Sequence, residues 1–141
     1  MTTDSYDLAR FLAAQDRQYS HVLSELRAGQ KTSHWMWYIF PQLQGLGSSD
    51  TARLYALSSL DETKAYLAHA VLGPRVRECT GLVNDVQNRS IIEIFGSVDA
   101  MKFRSSMTVF REATGDNEAF RFALAKYFDG KPDERTLALL G

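Results

Sequence analysis

One cysteine and three prolines in 141 residues, a formal charge of −1, and no apolar run approaching the roughly 18 residues a membrane span needs are the shortages that first bound this chain. A lone cysteine excludes an internal disulfide. Cys79 lies in a helical pattern, where it reads as small core filler and not as a nucleophile, and it suits a reducing cytoplasm. Sixteen basic residues against seventeen acidic ones leave no bulk field toward nucleic acid or an anionic membrane, so a nucleic-acid adaptor is disfavoured and only a local patch stays open. The opening MTTDSYDLAR is polar and acidic and lacks the apolar core of a secretion signal, so a soluble, intracellular protein is expected. No group of His, Cys and carboxylate residues has metal-ligand spacing; His21 and His69 stand alone on helical stretches, and no metal is expected. The glycines of GLGSSD (45–50) lack the GK(S/T) ending of a phosphate loop and follow no clear strand. They read as a turn.

What is present is helical periodicity and an ample supply of core residues: 45% of the chain is hydrophobic and 11% aromatic, enough to bury one domain. From Leu8, the residues Phe11, Leu12, Tyr19, Val22, Leu23 and Leu26 recur at steps of three and four. Asp4 or Ser5 can cap that helix and Gly29 suits its end. A short helix follows near Thr51 to Leu57. SSLDETKAYLAHAVLG (58–73) reads as another, with Ser59 and Glu62 as a capping box, Gly73 as its stop and Pro74 in the first turn of the next. That next helix carries Val76, Cys79, Val83 and Val86. Ser90 with Glu93 repeats the capping-box spacing before IIEIF, a helix or turn ended by Gly96, and Ser97 can cap a helix with Phe103, Met107 and Phe110 inward. Gly115 ends it. Asp116 opens a helix with Phe120, Leu124 and Tyr127 inward and Gly130 as its stop, and Pro132 with Asp133 opens a last one carrying Leu137 and Leu140. No repeat or linker interrupts this pattern, and no segment outside WMWYIF shows strand alternation, which predicts a compact all-α single domain, residues 1–141, of about seven or eight helices.

Both tryptophans fall in KTSHWMWYIFPQ (31–42), whose continuously apolar centre fits a buried strand or a buried helical turn. With helices on both sides the expectation is a short helix, capped by Thr32 or Ser33 and stopped by Pro41, with His34 and Tyr38 one turn apart on one face. The rings either fill the core or wall a binding site. The expected division puts Met36, Ile39, Phe40 and at least one of Trp35 and Trp37 in the core, with Lys31, His34, Tyr38 and Gln42 toward a pocket. Two further features are polar residues on apolar stripes. Gln15 stands in line with Leu8, Leu12, Tyr19 and Val22, where a buried amide needs partners from a loop backbone or from a ligand. Asp99, Lys102 and Ser106 form a ridge beside the Phe103 face: either a helix-dipole and ion-pair arrangement, or an anion or carbonyl site with Lys102 as binder and Ser106, or less well Ser105, as donor.

RFLAAQ, GQKTSHWMWYIFPQLQGLGSS, YLAHAVLGPR and MKFRSSMTVF together resemble the bacterial domain-of-unknown-function 1810 family, over nearly the whole chain. Some of its members carry the label calpastatin, but this chain does not look like a disordered protease inhibitor. The resemblance implies an all-helical single domain and implies no activity. One departure is Ala70, where many relatives have proline after the histidine. The family pattern coincides with Gln15, Lys31, His34, Gln42, Lys102, Ser105 and Ser106.

These readings converge on a cytoplasmic protein that binds a small planar or anionic, nucleotide-like ligand in an aromatic-lined cleft. Trp35 or Trp37 would stack on it, Lys31 or Lys102 pair with its charge, and Gln15 or Gln42 recognise it through an amide. As an enzyme, it would use His34 as general acid or base and Lys102 as electrostatic stabiliser. The alternative is a protein-interaction or scaffold module with the aromatic block as core. No motif names a cofactor. The site reading requires His34, Lys102 and Ser106 to converge on one solvent-connected cavity.

Overall fold

The structure, a computed structural model, describes residues 4–141 and is all-α. Eight helices are present among the described residues: α1 (Ala9–Ala28), α2 (Met36–Ile39), α3 (Asp50–Leu54), α4 (Leu60–Ala68), α5 (Leu72–Asp85), α6 (Ile91–Ala113), α7 (Glu118–Phe128) and α8 (Glu134–Leu140). The first three residues of MTTDSYDLAR lie outside the described part. α6 is central, packing against α4, α7 and α8, while α5 joins α1, α4 and α7, and α2 leans on α1. One apolar cluster unites them, with Trp35, Tyr66, Phe11, Phe40, Phe103, Phe110 and Phe120 among its largest fully buried side chains.

Local chemistry sets the helix ends. Asp4 accepts the free N–H groups of Leu8 and Ala9 at 2.7 and 2.9 Å, and Gly29 closes α1 in the left-handed conformation, both as expected. Ser90 and Glu93 form the reciprocal capping box. Ser59 and Glu62 form half of one: Ser59 Oγ accepts from the Glu62 N–H, but the Glu62 carboxylate turns to Ser58 and to Arg10, 2.9 Å away. α7 starts from Asn117 and not Asp116. Asp133 caps α8 through the Thr136 N–H, as expected.

Further boundaries depart from expectation. α4 stops at Ala68, and Gly73 lies inside α5, where a Cβ would sit 2.1 Å from the Leu67 carbonyl oxygen; the glycine lets two helices touch and ends nothing. His69 Nδ1 accepts the N–H groups of Val71 and Leu72 and so caps α5 in the place of a serine. α2 starts at Met36, because the Thr32 and Ser33 N–H groups are drawn to the Glu25 carboxylate and Trp35 is non-helical at φ −140°. His34 therefore precedes the helix and does not share a face with Tyr38. The only strand-like feature among the described residues is one parallel bridge, Leu43 to Leu57, tying the segment after Pro41 to the end of the α3 region.

Candidate functional site

A cleft of about 380 Å³ opens between the approach to α2 and the start of the long part of α6. Lys31, His34, Met36 and Trp37 form one wall; Phe95 to Asp99 and Lys102 form the other. The second wall exists because Gly96, at φ 81° and ψ 166°, breaks α6 in a conformation essentially restricted to glycine. Two carbonyls ahead of the break are taken elsewhere: Glu93 O accepts from Arg89, and Ile94 O accepts from the Lys31 N–H at 2.8 Å. The latter bond ties the two walls together. Ser97, Val98 and Asp99 thus begin a new helical run at the cleft, and its positive dipole end faces the opening.

Charge inside the cleft is arranged around one carboxylate. Lys31 Nζ lies 2.7 Å from Asp99 Oδ2 and its side chain is only 7% exposed, so this cation is locked. Lys102 Nζ lies 3.6 Å from Asp99 Oδ1, a looser pair, and 5.1 Å from the centre of the half-buried Trp37 ring. Two lysines against one aspartate leave the cleft net positive, and Lys102 is the more exposed of the two. His34 is exposed at the rim, with no hydrogen-bond partner among the described residues.

Beyond Lys102 lies a second cleft of about 210 Å³, bordered by Gln42, Leu46 and Gly47 from the loop after α2 and by Met101, Ser105, Asp133 and Arg135 from α6 and α8. Lys102 and Val98 line both clefts.

Of the ten residues singled out in the sequence, Lys31, His34, Trp37 and Lys102 meet in the first cleft, and Gln42 and Ser105 line the second. The other four are packed elsewhere. Trp35 is fully buried and donates its indole N–H to Glu25. Tyr38 is buried with its ring edge against Tyr55, and its carbonyl accepts from Gln15 Nε2 at 2.7 Å. Gln15 also donates to the Tyr66 hydroxyl, so its amide is held by the α2 backbone and a core tyrosine rather than by the loop after Pro41. Ser106 is fully buried, with its hydroxyl unpaired among the described residues. The convergence of His34, Lys102 and Ser106 is thus met by the first two only. The expected order of the serines is reversed as well, since Ser105 reaches a cleft while donating to the Met101 carbonyl.

Glu25 was not singled out, and it shapes the site. Its Oε1 accepts from Thr32 N–H, Ser33 N–H and Trp35 Nε1, and His21 Nε2 lies 2.7 Å from Oε2. Burial alone would raise its pKa; the donors from Ser33, Thr32 and Trp35 outweigh that and hold it down to about 2. The one signal in the sequence was its place three residues after Val22 and next to Leu26, on the inward flank of α1.

The family model described as "Protein of unknown function (DUF1810)" matches residues 5–140. The chain belongs to that family. No curated protein matches it. The DUF1810 chain is similar to the crystal structure of the conserved hypothetical protein Rv1873 from Mycobacterium tuberculosis, with 58% identity, a TM-score of 0.96, and coverage of 97% of this chain and 98% of that one. In this DUF1810 chain no helix of the described residues is long and apolar enough to cross a membrane, and no group of their His, Cys, Asp and Glu side chains could hold a metal ion.

Proposed function

We propose that the chain, acting as one domain in the cytoplasm, binds a small anionic or planar, nucleotide-like molecule in the first cleft, with Lys102 as the contacting cation. The observation that carries this reading is the division of labour around Asp99. Lys31 neutralises the carboxylate at 2.7 Å, which leaves Lys102 at 3.6 Å with charge to offer and Trp37 beside it as a flat wall. A helical run that begins at the same opening favours an anion further. Binding is better supported than catalysis: a general acid or base is ordinarily oriented by a third group, and His34 has none among the described residues.

A thermal-shift screen against nucleotides, sugar phosphates and carboxylates tests the reading. A ligand at about 100 times its dissociation constant adds roughly 2.7 kcal/mol of stability. The expected result is a shift with an anionic ligand that Lys102→Ala abolishes. No shift with any class would refute the reading and favour a scaffold role, which the exposed apolar side chains Ile92, Val98 and Met101 on α6 would serve.

A further inference from the structure

The second cleft is lined by polar groups that the fold leaves uncommitted. Neither the Gln42 amide nor the Arg135 guanidinium has a hydrogen bond or ion pair among the described residues, although both line the same opening. Ser105 spends its proton on the Met101 carbonyl and keeps its lone pairs. Asp133 brings one negative charge to the cleft, with its Oδ2 held by the Thr136 N–H at 3.0 Å and hydroxyl at 2.6 Å at the first turn of α8. Lys102 and Arg135 outnumber that one carboxylate, and a guanidinium fork matches the paired oxygens of a carboxylate or phosphate.

Size argues that the two clefts belong together. At about 210 Å³ the second is smaller than ordinary ligand sites, which begin near 300 Å³, and the first, at about 380 Å³, is at the small end. They are separated by Lys102, whose long side chain lines both and whose pairing with Asp99 is loose. Val98 also borders both and Met101 the second, and these two apolar side chains are 68% and 51% exposed. Apolar groups placed between two cationic ends suit the uncharged middle of a ligand.

We infer that the two clefts form one elongated site for a molecule with an oxyanion at each end: one on the Lys31 side of Lys102, the other on Arg135, with Lys102 serving both. This rests on the anion-binding reading of the first cleft and extends it to the class of ligand. Dicarboxylates and bisphosphates share the required chemistry.

Calorimetric titration of the full chain at low ionic strength decides the matter, using succinate, adipate and suberate against butyrate in one arm, and pyrophosphate and glycerol bisphosphate against phosphate in the other. The expected result is that at least one ligand with two oxyanion groups binds about tenfold or more tightly than the ligand with one in its arm. The arm that responds identifies the oxyanion. Arg135→Ala, at an exposed position of α8, should remove that advantage, whereas Lys102→Ala should weaken both kinds of ligand. Equal affinity for ligands with two oxyanion groups and with one, or an advantage that survives Arg135→Ala, overturns the two-ended site while the first cleft's anion binding stands. Absence of binding in both arms overturns both.

Discussion

The Glu25 carboxylate accepts the indole N–H of the fully buried Trp35 at 3.1 Å, joining the end of α1 to the segment that carries the first wall of the cleft. Through the same oxygen it holds the N–H groups of Thr32 and Ser33. The turn that presents Lys31 and His34 is therefore fixed from below by one charge.

That charge gives the acid limb of the stability curve a signature. Glu25 titrates at about 2 when folded against an ordinary 4.5, so its contribution is fully present above pH 4.5 and is lost as the pH falls toward 2. Glu25→Gln keeps an acceptor but removes the charge, and should flatten stability between pH 5 and 2 in urea titrations. Glu25→Ala leaves three donors without a partner and should cost about 3 kcal/mol at neutral pH. An unchanged acid limb in the glutamine variant would show that the carboxylate is not the anchor.

Gly96 makes the break in α6 and so creates the second wall. A Cβ there would meet no atom within 4 Å, so the cost of Gly96→Ala is conformational and not steric, about 1 to 3 kcal/mol. If the alanine variant instead straightened α6 it would lose less stability and would displace Ser97 to Asp99 from the cleft. Urea denaturation combined with anion titration separates the two outcomes: the strained but unmoved backbone is expected, with reduced stability and retained binding.

By sequence Gln15 suits either a ligand contact or a structural amide, and the bonds to Tyr38 O and Tyr66 Oη favour the second. Gln15→Leu should cost about 2 kcal/mol by stripping a buried carbonyl and hydroxyl of their partner. It should leave anion affinity unchanged, since Gln15 lines neither cleft. Weakened binding in a folded Gln15→Leu protein would place the amide back in the site.

Periodicity and caps made most of the fold legible, because both are written in residues three and four apart. The stripe of α1, the Asp4 and Ser90 caps and the Gly96 break are all local. What escaped was settled between distant residues. Glu62 left its expected capping role for Arg10, 52 positions away, and Gly73 looked like a helix stop because its contact with Leu67 is a packing event between two helices. In KTSHWMWYIFPQ, the pairing of Lys31 with Asp99 and the burial of Trp35 depend on α6 and α1, neither of which the apolar run itself reveals. Lys31, His34, Trp37 and Lys102 could be nominated by type; their meeting in one cleft required the break at Gly96.

Cys79 offers a check on the exclusion of thiol chemistry. It is fully buried on α5, and burial pushes its thiol up to about 12, partly countered by its contact with the Tyr19 hydroxyl. A nucleophile would instead be exposed and held below its ordinary value by nearby positive charge. At pH 8 the native protein should leave an aromatic disulfide reagent unreacted over the time in which a free thiol is consumed. Reaction should appear with the same denaturant dependence as global unfolding, because α5 must part from α1, whose Tyr19 lies against the sulfur, before the thiol meets solvent. Rapid modification under native conditions would mean that α5 opens locally, and it would make Cys79 a candidate reactive group.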